Sequence, residues 1–244
     1  MSETGLIRDE STKKIFAKVF DQRTILTLHA LAGKGYFDVV EFVVSTGKEA
    51  HVFRARDHAG NFRAVKIYKT LTTDFKRMRE YIRGDLRFRN AGKNRHELVK
   101  MWTRKEFENL KKFSNAGIRV PLPLAVKGNV LVMEFIGREK AAPTLKEKPV
   151  KDVLKLKETV ENWLELMVEK AGLVHADFSE YNILNFEEEP VLIDCAQSVL
   201  TTHPKAEYFF KRDIKNISAY LSKNGLKTSS EALLKRVREI KNAR

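Results

Sequence analysis

Hydrophobic and polar positions alternate along the first half of this chain and settle into helical spacing along the second. Residues 10–33 predict two short helices, the second opening at Asp21, a helix-capping residue type, and closing at Gly33 with Gly35 just beyond. Phe37 to Val44 then turns β-rich, Ser45 to Ala50 interrupts the pattern, and His51 to Arg56 resumes it. His58-Ala59-Gly60-Asn61 signals a turn before a third strand, Phe62 to Tyr68, so the pattern predicts an antiparallel meander.

Regularity fades between Thr70 and Arg104, where ten Lys or Arg face four Asp or Glu, and this stretch is expected to be a flexible basic loop over about residues 70–100. A helix is predicted over Met101 to Phe113, stopped by Ser114-Asn115-Ala116-Gly117, and a strand over Asn129 to Phe135, closed by Gly137. From Pro149 to Lys170 the apolar positions Val150, Val153, Leu154, Val160, Trp163, Leu164 and Met167 recur at helical spacing, with Gly172 as a stop. Two short apolar runs around Glu187-Glu188-Glu189-Pro190 read as a hairpin, and Thr228-x-x-Glu231 reads as a capping box opening a last helix to about residue 241. The class is therefore α+β, with an antiparallel sheet first and a mainly helical second half.

Composition narrows the picture. Hydrophobic residues make up 43% of the 244, too many for disorder, and no run approaches the roughly 18 apolar residues of a membrane span. The first ten residues lack the basic start and apolar run of a secretory signal, so a cytoplasmic location and no membrane partner are expected. The single Cys195 has no internal disulfide partner, and the scattered histidines do not suggest a zinc site. A net charge of +14 favours an anionic partner, with nucleic acid or a nucleoprotein first.

The chemistry concentrates on His175-Ala176-Asp177-Phe178-Ser179-Glu180-Tyr181-Asn182. Asp177 and Asn182 have the D-x-x-x-x-N spacing of phosphoryl transfer, and the hairpin that follows would return Asp194 beside Asn182. A carboxylate and a carboxamide oxygen converging at one point suit Mg²⁺, which takes oxygen ligands and completes its shell with water and phosphate. A single acid is usually a solvated or capping residue; the combined spacing is what carries the signal.

Lys66 shares a strand face with Ala64, opposite Val65 and Ile67, and needs a carboxylate if it is to stay charged near the core. On the helix from Met101 to Phe113, Trp102, Leu110 and Phe113 form one stripe with Glu106 in its middle, while Glu108 points away. Glu106 is thus the expected partner of Lys66. Ser45-Thr46-Gly47-Lys48-Glu49-Ala50 is not a Walker A motif: Phe42 stands where its first Gly would be, Glu49 follows Lys48, and both flanks are strands.

Taken together these motifs resemble the RIO family of atypical serine/threonine protein kinases, most closely its first subfamily. The resemblance rests on Ser45 to Ala50, Ala64-Val65-Lys66, Lys105-Glu106-Phe107, Val132 to Gly137, His175 to Asn182, Ile193-Asp194-Cys195-Ala196-Gln197, His203-Pro204 and Arg212-Asp213-Ile214. Phe178 stands where Leu is frequent and His51 where Asn is frequent. Fewer than 40 residues precede the first strand, too few for the winged-helix domain of the second subfamily.

The resemblance implies a trimmed two-lobed protein-kinase-like fold without activation loop or peptide-docking helices: a helical element over 1–36, an N-lobe and hinge over 37–137, and a C-lobe over 138–244. It implies ATP with Mg²⁺, or Mn²⁺ in its place, as cofactors. Ser45 and Lys48 would belong to the phosphate loop, Lys66 and Glu106 would position phosphates, and backbone groups at Glu134 and Ile136 would hold adenine. Asp177 would be the catalytic base, Asn182 and Asp194 the metal ligands, and Asp194 also a candidate to receive the phosphoryl group. The implied role is self-phosphorylating kinase or ATPase in maturation of the small ribosomal subunit, with that subunit or its precursor rRNA–protein particle as partner. Two alternatives stand beside it: a ribosome-binding nucleotide switch with little turnover, and a small-molecule phosphotransferase, which the positive charge disfavours.

Overall fold

A computed structural model describes residues 20–70, 75–88 and 94–235. The chain divides into two compact units: one from the chain up to Glu80 with Asn90–Phe107 and Leu122–Ala141, the other from Tyr81–Arg89, Glu108–Pro121 and Ala142 onward. The first of the two expected leading helices lies outside the described residues, as does the end of the last one.

In the first unit the second leading helix forms as α1 (Gln22–Ala32), and the Asp21 carboxylate caps it by accepting the Thr24 N–H at 2.8 Å. The meander follows as β1 (Val39–Thr46), β2 (Ala50–Arg56) and β3 (Phe62–Tyr68), and β4 (Pro123–Lys127) and β5 (Val130–Glu134) complete one antiparallel sheet ordered β1-β2-β3-β5-β4. Strand alternation decides the core: Val65 and Ile67 of β3 pack with Phe53, Val130 and Val132 against Leu28 and Leu31 of α1. Ala64 and Lys66 are left on the other face.

The interruption at Ser45 to Ala50 is narrower than expected. Ser45 and Thr46 end β1 and Ala50 begins β2, and a tight turn remains in which the Gly47 N–H donates to the Ala50 carbonyl at 2.9 Å. Irregularities in β1 between Val40 and Phe42 and between Val43 and Ser45 absorb the register change.

The stretch expected as a flexible basic loop needs correction, because its described part is regular. It holds α2 (Phe75–Ile82), a 3₁₀ turn (Leu86–Phe88) and the start of α3 (Arg95–Asn115). Met78, Tyr81, Ile82 and Phe88 are buried, an apolar stripe that the count of basic residues hides. The helix expected from Met101 begins at Arg95 instead, since Asn94 caps it by accepting the Glu97 N–H at 2.9 Å.

The second unit is built on α4 (Val153–Leu166) and α5 (Ala206–Lys223). Asp152 caps α4, and a π-helical turn over Met167–Ala171 ends it at Gly172, whose φ of 64° is the left-handed stop that glycine allows. Short strands β6 (Leu173–Val174) and β9 (Val199–Leu200) pair with each other, as do β7 (Ile183–Phe186) and β8 (Glu189–Leu192). Between Asp194 and α5 lie only a 3₁₀ turn (Cys195–Gln197), β9 and a turn at His203-Pro204. The last helix starts at residue 230, and Ser229 rather than Thr228 caps it by accepting the Ala232 N–H at 3.2 Å.

Candidate active site

In the first unit, cross-strand pairing with Val52 and Leu131 fixes the place of Lys66 in the centre of the sheet. Its Nζ lies 2.7 Å from Glu106 Oε1, and the two residues are 8% and 1% exposed. Water is nearly excluded from this pair, so each charge depends on the other. The Tyr68 hydroxyl donates to Glu106 Oε2, and the Tyr68 ring lies 5.2 Å from Lys66 Nζ. Tyr68 is a participant the sequence reading did not single out, although its position two residues along β3 from Lys66 places it on the same face.

Ser45 and Lys48 are exposed at the β1–β2 turn. Lys69 Nζ donates to the Gly47 carbonyl at 2.6 Å and ties the turn back to the sheet. At the end of β5 the Glu134 N–H is taken by the Leu122 carbonyl at 2.8 Å, so an adenine contact at this residue falls to its carbonyl. Ile136 is buried two residues on.

In the second unit the β7–β8 hairpin turns through Glu187 and Glu188, both left-handed with φ of 56° and 70°. Two such residues make the hairpin turn whose twist matches the strands, at a cost of about 1–3 kcal/mol each without glycine. The Asn185 side chain offsets part of this by accepting the Glu188 N–H at 2.8 Å. The turn sets the register Ile183 to Leu192, and the Ile193 N–H then donates to the Asn182 carbonyl at 2.9 Å. Asn182 thus sits beside the Ile193–Asp194 step, as the hairpin argument requires.

Asn182 also reaches back to Asp177. Its Nδ2 donates to the Asp177 carbonyl at 2.8 Å and to Oδ2 at 3.0 Å, which leaves its side-chain oxygen as the acceptor for a cation. Gln197 Nε2 donates to the same Oδ2 at 3.1 Å. Two amides therefore aim the Asp177 carboxylate. Among the described residues no three of His, Cys, Asp and Glu converge as a metal cage. A carboxamide and a carboxylate fit Mg²⁺ nonetheless, because it retains water and phosphate oxygens rather than requiring a full protein shell.

Ala176, just before Asp177, has φ of 65°, which an L-residue resists. Asp213 on α5 holds it there, accepting the Ala176 N–H at 2.7 Å and the Phe178 N–H at 2.9 Å. Burial, with a smaller push from the nearby Asp177 charge, outweighs the two N–H bonds and the Arg212 charge and raises the Asp213 carboxyl to about 7. His175 stacks on Phe113 at 6.2 Å between centroids, and its Nε2 is 3.2 Å from the Ile193 carbonyl. On the far side of Asp194, Asn109 of α3 donates to the Cys195 and Ser198 carbonyls at 2.8 and 3.1 Å and fixes the 3₁₀ turn.

Asp213, Gln197 and Asn109 are the residues that sequence reasoning missed in this unit. Asp213 belongs to the Arg212-Asp213-Ile214 motif, and its place inside the apolar stripe of α5 is the signal that marks it. No spacing rule would have found Gln197 or Asn109.

The RIO domain family pattern matches residues 51–233. A RIO-type serine/threonine-protein kinase Rio1 of Haloferax volcanii is 39% identical over 93% of this chain and 78% of its own length. The protein of that name from Methanocaldococcus jannaschii is 41% identical over 89% of this chain and 75% of its own. Serine/threonine-protein kinase RIO1 of Saccharomyces cerevisiae is 34% identical over 93% of this chain, which spans 53% of that longer protein. Among solved structures, the Rio2 kinase–ADP/Mg²⁺–phosphoaspartate complex of Chaetomium thermophilum superposes with a TM-score of 0.68 over 94% of this chain and 74% of that one, at 21% identity, and establishes the kinase-like α+β fold. The Rio1 relatives and the Ser45 to Ala50 motif agree on the subfamily, and the chain belongs to the RIO family of serine/threonine protein kinases, on its Rio1 side.

Proposed function

We propose that this kinase uses ATP and Mg²⁺, phosphorylates itself or hydrolyses ATP, and acts in maturation of the small ribosomal subunit in the cytoplasm. The observation that carries the chemical part is the Asp177 carboxylate held by Asn182 at 3.0 Å, with Asn182 itself pinned beside the Asp194 step. In this reading Asp177 accepts the proton of the attacking hydroxyl or water, and Asn182 and Asp194 supply the metal ligands. Lys66, kept charged and oriented by Glu106, draws the nucleotide phosphates. The Glu134 carbonyl and Ile136 N–H serve the adenine edge, and Ser45 and Lys48 lie at the turn that covers the phosphates. Mg²⁺ held by Asn182 and Asp194 would supply the positive charge that offsets the negative charge developing during transfer.

The phosphoaspartate in the Rio2 complex supports Asp194 as the acceptor in a two-step reaction. There the Asp194 carboxylate attacks the γ-phosphorus, ADP leaves, and a hydroxyl or water later takes the phosphoryl group. The net charge of +14 supports a ribosomal particle as partner, since counterion release favours a basic protein on RNA.

The test is incubation of the purified chain with γ-labelled ATP and Mg²⁺, followed by hydroxylamine and peptide mass spectrometry. Hydroxylamine-labile label on Asp194, or phosphate released to water, is expected, and Asp177→Asn should lose the release to water. Absence of both in the wild-type chain would falsify the reading.

A further inference from the structure

Arg212 precedes Asp213 on α5, and the two side chains hold the residue Ala176 from both sides, one at its N–H and the other at its carbonyl. Asp213 takes the Ala176 N–H at 2.7 Å, while the Arg212 guanidinium donates to the Ala176 carbonyl, the group joined directly to the nitrogen of Asp177. Arg212 is itself held. Its guanidinium donates to the Tyr81 hydroxyl in the last turn of α2, and it lies over the Phe209 ring at 5.0 Å. Tyr81 is 3% exposed and stacks on the same Phe209 ring at 5.1 Å between centroids, with 22° between the planes. Burial opposes the Arg212 charge, yet the Tyr81 bond and the Asp213 and Asp177 carboxylates outweigh it and raise its pKa.

The segment carrying Tyr81 is itself closely seated. A Cβ added at Gly84 would come within 2.7 Å of the His203 ring and of Pro204 Cδ, so only glycine allows this approach. Asp85, 2% exposed, accepts from Arg87 through both carboxylate oxygens at 2.9 and 2.6 Å and fixes the following turn. The contact chain thus runs from the Gly84 turn through Tyr81 and Arg212 to the backbone of Asp177.

We propose that Tyr81 and Arg212 are positioning residues for phosphotransfer, Arg212 by fixing the Ala176 carbonyl and Tyr81 by fixing the Arg212 guanidinium. The left-handed Ala176 gives the arrangement its leverage: a residue held out of its preferred basin turns toward that basin when either grip loosens. Such a turn re-aims the Asp177 carboxylate without touching nucleotide binding. The inference rests on Asp177 as the residue that orients the nucleophile.

The experiment compares wild type, Tyr81→Phe, Arg212→Lys, the double variant, Gly84→Ala and Asp177→Asn for kcat and ATP KM of Mg-ATP turnover, alongside thermal melting. Tyr81→Phe keeps the ring stack and loses only the hydroxyl; it is expected to lower kcat about tenfold with KM and melting unchanged, and Arg212→Lys to lower it about a hundredfold, the scale of a misplaced catalytic group. In the Arg212→Lys background the Tyr81→Phe effect should disappear, and Gly84→Ala should reproduce the fall in kcat. An unchanged kcat in Tyr81→Phe, or an equal fall in both backgrounds, overturns the proposal. A fall in kcat that only tracks a lower melting temperature, or that is matched by a rise in KM, also overturns it. Activity retained by Asp177→Asn overturns the reading of Asp177 and this inference with it, whereas an inactive Asp177→Asn beside a fully active Tyr81→Phe overturns this inference alone.

Discussion

Lys66 and Glu106 stand 40 positions apart in the chain and meet at 2.7 Å in a place that water barely reaches. Glu106→Ala leaves an ammonium buried without its carboxylate, and a loss of about 3–5 kcal/mol of stability is expected. Lys66→Met with Glu106→Leu removes both charges and is expected to be more stable than Glu106→Ala, falling short of wild type by the acceptor that the buried Tyr68 hydroxyl loses, while failing to turn over ATP. Urea unfolding with a turnover assay checks both; a double variant as unstable as the single one would contradict the account of the pair.

Asn182 both aims Asp177 and stands beside Asp194, so Asn182→Ala should weaken metal binding and catalysis together. A fall in kcat of about a hundredfold or more is expected, of the order seen on removing a positioned acid–base group. Excess Mg²⁺ or Mn²⁺ should recover only part of it, because no added ion restores the amide on Asp177. Full recovery at high metal would show that Asn182 acts through the ion alone.

Asp213 makes stability depend on pH. Its carboxyl is raised to about 7 in the folded protein against 3.8 as reference, so the folded state holds the proton more tightly. The stability linked to this proton is fully present below about pH 4 and is lost as pH rises through 7, amounting to about 4 kcal/mol at most. Unfolding free energies of wild type and Asp213→Asn, measured at pH 4 and pH 8, should differ by an amount that shifts against the wild type at the higher pH. A difference independent of pH would mean that Asp213 is ionised throughout.

Asn109 is fully buried and donates to two carbonyls of the turn after Asp194. Asn109→Ala should cost about 1–3 kcal/mol, the penalty of leaving buried polar groups short of partners. Hydrogen exchange at the Ser198 amide, which donates to Cys195 at 3.2 Å within that turn, should quicken more than exchange in α4. Uniform quickening across the unit would point to global loss of stability instead.

The parts legible in the sequence were those governed by local rules. Asp21 as a cap, Gly172 as a stop, the faces of β3, the inward Glu106 and the hairpin ends at Asn182 and Asp194 all follow from period, cap and turn chemistry. Misses arose where tertiary contacts override a local signal. β4 opens on Pro123, tolerated because it is the first residue of an edge strand, and so reads as loop. α5 has no starting signal, since Lys205 makes no side-chain cap, and an acidic residue, Asp213, sits within its buried face. α2 alternates cations with the buried Met78, Tyr81 and Ile82, and its charge masks its period. Gln197 and Asn109 act through bonds to residues 20 and at least 86 positions away, which no window along the chain can see.

Asp194 adopts φ 56° and ψ 58°, a basin that asparagine shares with aspartate and that alanine avoids. An alanine there would pull the main chain out of shape as well as erase the carboxylate, and its silence in an assay would have two authors. Asparagine keeps the bend and cannot carry an acyl phosphate, so Asp194→Asn separates the chemistry of this position from its geometry.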